Sequence, residues 1–366
     1  MWGTPVEELS PMVGLPNTGA YKAAGFIIHT LYGSHLSAFE HVYGLQENDE
    51  RLAVAAAIDG MMSGMRPEAM RTILHRLDAY NYVAPRVNQA MDIVRTMAEE
   101  DVAALPETIR SDRRTLATAD HIAWRVHGQQ IRDSGGPYYK HPQAVTAMAL
   151  HAFAQLRREG YEIPDDQVDA HLTTCFTHDA AEDTNRSRRY FDGPLLAKML
   201  AFSPLEVRYV CMATDNPYGD DVAYSLYMLT RHKLPGRLGY LPYVRRGLHD
   251  IGFRVAKSAD LQHNNDIDPR PITSETSEET KQKIADKRAL YEVVKQIVRA
   301  FNPNAPSEGV AVPVNEKGEV AQNPPWEARY HDLIAGVTAD QLPGMVAALG
   351  TYIYGADLPA HWQYIV

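Results

Sequence analysis

The period of the apolar residues limits the fold more than any other feature, because it is helical over almost the whole chain. Apolar positions recur three and four residues apart in stretches separated by Gly, Pro and Asp, and that spacing places them on one face of a helix. In the middle of the chain the pattern predicts helices over 112–130, 141–159, 166–183, 203–213, 221–232, 238–249, 251–264 and 277–301. Upstream, NDERLAVAAAIDGMMSGM opens on a cap residue at Asn48, PEAMRTILHRLDAY has Pro67 at its first turn, and PRVNQAMDIVRTMAEEDVAAL from Pro85 reads as a third helix. The signal lapses after Phe301, where NPNAPSEGVAVPVNEKGEVAQNPP is rich in turn formers and reads as a linker or a small hairpin. The expected fold is therefore all-α. A helical N-terminal extension covers 1–111, the principal bundle 112–301, and a linker with a short C-terminal extension 302–366.

A chain of 366 residues can bury a substantial core, and with 45% hydrophobic and 22% charged residues it lies far from the composition of disorder. No apolar run reaches the ~18 residues that suggest a membrane span. The start, MWGTPVEELS, lacks the basic and apolar regions of a secretory signal, so a cytoplasmic location without membrane partners is expected. Cys175 and Cys211 both sit in apolar segments, which fits buried free thiols better than a disulfide framework. The net charge of −10 opposes nucleic-acid binding, which requires Lys and Arg against phosphates. A phosphate ligand would need local cations.

One stretch breaks the apolar pattern. THDAAEDT, residues 177–184, presents His178, Asp179, Glu182 and Asp183 with no Lys or Arg among them. On a continuous helix His178 stacks with Glu182 and Asp179 with Asp183, in two adjacent columns. An imidazole beside a carboxylate suits a divalent metal, and the second pair can reach a metal-bound water. A solvated acidic face, with Glu182 paired to Arg186, is the plainer alternative, but the preceding AHLTTCF is too apolar for a simple surface. Two other stretches offer partners. SGGPYYKHPQAV places His141 after a Gly-Gly-Pro turn and next to Pro142, a helix start. RVAKSADLQHNND sets Asp260, His263 and Asn264 on one helical face in an apolar segment, where the competing reading is a Lys257–Asp260 pair.

The ordered set His141, His178-Asp179, Asp260 resembles the signature of the HD superfamily of metal-dependent phosphohydrolases. HGQQIRDSGGPYYKHPQAV, HDAAEDT and AKSADLQHN look like three motifs of the hydrolase domain of RelA/SpoT homologues and small alarmone hydrolases, over roughly residues 112–301. The resemblance implies an HD-type helical bundle. It implies that His141, His178, Asp179 and Asp260 bind the metal, a mixed nitrogen and oxygen set that suits Mn²⁺ or another divalent ion better than thiolate-bound zinc. Glu182 and Asp183 would position and deprotonate the water, and the reaction would remove the 3′-pyrophosphate from guanosine tetra- or pentaphosphate. Arg132 would pack against the base, Asn264 would lie at the nucleotide end, and Lys140 would reach phosphate. RSRR at 186–189 and Arg231, Lys233, Arg237, Arg245 and Arg246 are further candidates for phosphate or for a solvated basic face. His127 and His263 match the motifs too, with structural roles expected behind the site. No synthetase domain is expected in the residues after the hydrolase region.

Three positions depart from the family pattern: Asp133 stands for a Lys after the packing arginine, Leu261 for an Arg after the last metal Asp, and Ile267 for a Thr near the base. With the metal-ligand residues matched and the changes confined to the nucleotide end, hydrolysis is expected with relaxed base selectivity, and adenine alarmones should be better tolerated. Another HD nucleotide phosphohydrolase, acting on deoxynucleoside triphosphates, monophosphates or a nicotinamide dinucleotide phosphate, is the alternative, and a non-catalytic nucleotide-binding regulator a second. The sequence does not indicate an oligomeric state.

Overall fold

The computed structural model describes residues 83–180, 204–230, 240–248, 250–301 and 323–362. Among these the fold is all-α, with no strand and one isolated bridge between Ile131 and Pro137. The helices are α1 (Val83–Ala103), α2 (Arg114–His127), α3 (Lys140–Arg158), α4 (Asp165–Thr177), α5 (Pro204–Ala213), α6 (Gly219–Leu229), α7 (Tyr240–Gly247), α8 (Ile251–Gln262), α9 (Glu278–Arg299), α10 (Glu327–Ala335) and α11 (Leu342–Tyr354). The helices expected from Asn48 and Pro67, and the hairpin expected around NEKG, lie outside the described residues.

α8 is the central element, in contact with α3, α4, α6, α9 and α10. Its start is fixed locally: the Asp250 side chain accepts from the Phe253 amide and from Ser225 Oγ, the latter at 2.6 Å. Only Gly fits at 252, because a Cβ there would lie 2.1 Å from the Ser225 hydroxyl. α3 supplies the other wall. Its buried side carries Ala144, Ala147, Ala149 and Ala152 among larger residues such as Met148, Phe153 and Leu156. The small residues let α4, α8 and α11 approach closely, while each large one contributes about 1.5–3 kcal/mol on burial.

The C-terminal segment is part of this core. Trp326, Tyr330, Ile334, Leu349, Ile353 and Trp362 belong to the same buried cluster as Phe153 and Phe176. α10 lies on α3 and α8, and α11 on α2 and α3. Arg254 of α8 makes a buried ion pair with Glu327 at the start of α10, with Nη2 3.0 Å from Oε2. No single described helix is long and apolar enough to cross a membrane.

One helix boundary differs from the sequence expectation in a way that matters for the site. The pattern over 166–183 predicts a continuous helix, but α4 ends at Thr177 and His178 and Asp179 form a turn. His178 Nδ1 donates to the Cys175 carbonyl at 2.7 Å, the acceptor that a continuing helix would offer to the Asp179 amide.

α4 also buries His171, which lies flat on Phe153 with ring centroids 5.5 Å apart. Burial pushes its pKa down to about 4, so it stays neutral in the folded protein. The unfolded chain takes up a proton near pH 6.5 that the folded chain does not, so this residue removes stability as pH falls from about 6.5 to about 4. His171→Phe should flatten that acid limb by about 3 kcal/mol relative to wild type. Urea unfolding of both proteins at pH 7.5 and pH 4.5 checks this, and a parallel loss in both would remove His171 as the cause.

Candidate metal centre

The three polar stretches meet at one point. His141 Nε2 lies 3.2 Å from Asp260 Oδ1 and 3.5 Å from Asp179 Oδ2. His178 Nε2 lies 3.4 Å from Asp179 Oδ2 and 3.8 Å from Asp260 Oδ1. Two imidazole nitrogens and two carboxylate oxygens, from α3, the turn after α4, and α8, therefore face a common centre. Donors bound to one cation at about 2.0–2.3 Å sit roughly 3–3.7 Å apart, so the distances of both imidazole nitrogens to Asp179 Oδ2 fit a shared ion. His141, His178 and Asp179 form the group whose donor atoms lie close enough together to hold one, and Asp260 Oδ1 adjoins it on the histidine side.

The orientation of each imidazole points the same way. His178 spends Nδ1–H on the Cys175 carbonyl, and its Nε2 is buried without a hydrogen-bond partner. A buried ring nitrogen left without a hydrogen bond, 3.4 Å from the nearest carboxylate oxygen, is costly unless something binds it, and a metal-ligating histidine has this pattern. His141 Nδ1 is 3.1 Å from His263 Nδ1. Burial, helped by His141 and Arg132, pushes His263 down to about 2, so it is neutral, and either ring can be the donor of this bond. With His141 Nδ1 turned to His263, Nε2 is the nitrogen directed at the carboxylates.

The carboxylates are held as anions. Burial alone would raise Asp179, but the imidazoles of His178 and His141 outweigh it and keep its pKa well below the usual range. For Asp260 the same burial is outweighed first by Lys257 and then by the two histidines. Lys257 Nζ donates to Asp260 Oδ2 at 2.7 Å from between the rings of Tyr240 and Tyr243. The Lys257 pair and the metal reading, alternatives in the sequence, thus coexist, one on each oxygen. Burial opposes a proton on His178, yet Asp179 and Asp260 raise its pKa to about 10, so cation entry would displace that proton.

Outside the four candidate ligands the placement is uneven. Asn264 Nδ2 donates to Asp260 Oδ1, and Arg132 Nη2 donates to Asn264 Oδ1 at 2.7 Å. Arg132 Nε also lies 3.1 Å from Asp268 Oδ2, and Ser134 Oγ donates to the same oxygen at 3.1 Å. The guanidinium is thereby fixed next to the ligand set, with Nη1 buried and without a hydrogen-bond partner. Lys140 is exposed at the start of α3 and takes no part in the contacts that build the centre among the described residues. Glu182 and Asp183 lie outside the described residues, as do Arg186, Arg188, Arg189, Arg231, Lys233 and Arg237. Arg245 is exposed on α7, and nothing is described for the Arg246 side chain.

The departures from the family motifs fall in different surroundings. Asp133 faces Arg270 at 3.4 Å on the surface, Leu261 is fully buried in the core, and Ile267 is half-buried against it. His127 Nδ1 is 3.0 Å from Gln130 Oε1, and its ring stacks on Tyr138 at 4.8 Å.

Tyr138 was not singled out by the sequence. Its hydroxyl donates to Asp179 Oδ2 at 2.7 Å, the same oxygen that faces both histidines. The signal available was its position three residues before His141, but its neighbour Tyr139 looked equivalent. Asp179 is the most exposed of the four candidate ligands, at 24% of its side chain, so the centre opens on its side. A cleft of about 850 Å³ lies elsewhere, lined by Ala147, Leu150, Phe153, Met345 and Tyr352 among others. It contains none of the ligands, and the donor atoms rather than this volume define the site.

Comparison with protein-family models, with curated proteins and with solved structures gives no match for this chain.

Proposed function

We propose that this protein is a metal-dependent nucleotide phosphohydrolase of the HD type that removes the 3′-pyrophosphate from (p)ppGpp-like alarmones. The observation that carries the reading is the meeting of His141 Nε2, His178 Nε2, Asp179 Oδ2 and Asp260 Oδ1, with His178 Nε2 buried and otherwise unsatisfied. These four residues would hold the cation. Their nitrogen and oxygen donors favour Mn²⁺ over a thiolate-bound ion, and burial pushes the pKa of Cys175, the cysteine nearest in sequence, far up and keeps it a thiol.

When bound, a divalent cation supplies Lewis-acid polarisation of a phosphoryl oxygen and lowers the pKa of water. The remaining work belongs to side chains of the chain itself. Glu182 and Asp183, three to five residues beyond the ligand pair, would orient the attacking water and take its proton. The bond broken joins the ribose 3′ oxygen to phosphorus, and the products are pyrophosphate and a nucleotide that keeps its 5′ phosphates. Arg132, pinned by Asn264 and Asp268, would meet the base with a planar face whose position is set before substrate arrives.

Purified protein with Mn²⁺ offered guanine and adenine alarmones beside ordinary nucleotides should release intact pyrophosphate from the 3′-pyrophosphorylated ones. Asp133, Leu261 and Ile267 lead to the further expectation that the adenine compounds are accepted. Inorganic triphosphate from a deoxynucleoside triphosphate, with alarmones untouched, would move the protein to another phosphohydrolase class. Glu182→Gln and Asp183→Asn separate chemistry from assembly: metal uptake should persist while turnover falls by roughly 10²-fold or more. Near-normal rates in both variants would return these acids to a solvated surface.

A further inference from the structure

Residues 354–362 of the C-terminal segment lie against a carboxylate of α2. Asp120 is completely buried. Its Oδ1 accepts from the Tyr139 hydroxyl, and its Oδ2 accepts from the Tyr354 hydroxyl at 2.6 Å and the Trp362 indole N–H at 2.9 Å. His361 Nε2 lies 2.9 Å from the same Oδ2. Gly355, at φ +63°, ends α11 in a conformation that L side chains rarely adopt and turns the chain back toward this anchor. Trp362 then packs so closely on Gly350 that a Cβ there would lie 2.9 Å from its ring.

The other end of the anchor is the entry to the metal-bearing helix. Tyr139 is the residue before α3 begins, and it is almost entirely buried. Its hydroxyl also accepts from Gln143 Nε2 at 3.0 Å. Its ring meets the edge of Trp124 at 5.1 Å, and Trp124 in turn stacks on His361 at 5.2 Å. On the opposite side of the same turn, Tyr138 donates to Asp179 and His141 presents Nε2 to Asp179 and Asp260. Neighbouring tyrosines therefore hold one turn from two sides, Tyr139 toward the C-terminal segment and Tyr138 toward the ligands.

We propose that residues 354–362 act as a positioning clasp for the metal centre: through Asp120 and Tyr139 they set the first turn of α3, and with it the placement of His141 among the other ligands. This rests on the metal-centre reading. The physical basis is short leverage. Only Lys140 separates Tyr139 from His141, whereas the rest of α3 is held independently by its packing on α4, α8 and α11. Loosening the anchor should let the first turn relax without unfolding the helix, and removal of groups that orient metal ligands typically weakens binding by 10–100-fold.

The test uses the full chain with Tyr139→Phe, with Tyr354→Phe and Trp362→Phe together, and with all three changes. The tyrosine changes keep the ring and remove the hydroxyl, which at Tyr139 is also the acceptor for Gln143, and Trp362→Phe removes the indole N–H together with part of the ring. Mn²⁺ affinity, read from the free-ion electron paramagnetic resonance signal well below the unfolding temperature, should fall about tenfold in the first two proteins, the lower end of that range, because the deleted groups reach His141 only through the turn. It should fall little further in the third, because both sets act through Asp120. Wild-type affinity in the Tyr354/Trp362 protein, with a lowered urea midpoint, would make the clasp purely structural and overturn the inference. Failure of the unaltered protein to take up Mn²⁺ would overturn the centre itself, and this inference with it.

Discussion

Asp260→Ala should cost the protein several kcal/mol of stability and, at the proposed metal centre, cation binding, because Asp260 serves two partners. Oδ1 faces the two histidines, and Oδ2 accepts from Lys257, which is itself buried beneath Tyr240 and Tyr243. Removing the carboxylate leaves an ammonium without its counter-charge, and breaking a buried pair from one side costs about 3–5 kcal/mol. Mn²⁺ affinity should drop by roughly 10²-fold or more, beyond the effect of losing a group that merely orients a ligand. The two losses can be separated. Adding Lys257→Met to Asp260→Ala replaces both buried charges by apolar groups, so urea unfolding should return most of the stability while Mn²⁺ titration still shows no tight site. Full manganese occupancy in Asp260→Ala would remove the residue from the centre and the HD assignment with it.

Asp120→Ala should have a comparable effect on stability for a different reason. The carboxylate is fully buried and is the acceptor for the buried Tyr139, Tyr354 and Trp362 and the neighbour of the partly exposed His361. Each buried donor left unsatisfied costs about 1–3 kcal/mol, and members of one network do not add, so a total near 3–5 kcal/mol is expected. Asp120→Asn should cost less, since the amide keeps one acceptor while turning its NH₂ toward some of the donors. Equilibrium urea unfolding of the three proteins gives the order wild type, Asn, Ala. A loss under about 1 kcal/mol in the Ala variant would mean that water replaces the carboxylate and that the anchor contributes little.

The helices were legible in the sequence because their signal is local. The spans at 141–159, 203–213 and 277–301 lie within a few residues of α3, α5 and α9, since amphipathic period and caps such as Ser277 act over single turns. The residue types of the centre were legible too. The end of α4 was not, because a His178 side chain in competition with the backbone leaves no mark on the apolar pattern. Nor was the role of the C-terminal segment, which composition set apart as an extension and which packs into the common core.

The sequence by itself determined an all-helical chain with two His, two Asp and a following acid pair placed where apolar residues were expected. Those properties are written in residue type and short-range period. Tertiary structure alone decided that Tyr138 rather than Tyr139 bonds Asp179, that Lys257 and the histidines divide the oxygens of Asp260, and that Asp120 ties α2 to Trp362. Arg132 and Asn264 meet across 132 positions, and Asp120 and Trp362 across 242. At such separations local preference carries no information about partners, because which side chains meet is set by how the helices pack around α8, and that packing is the sum of many contacts no single stretch contains.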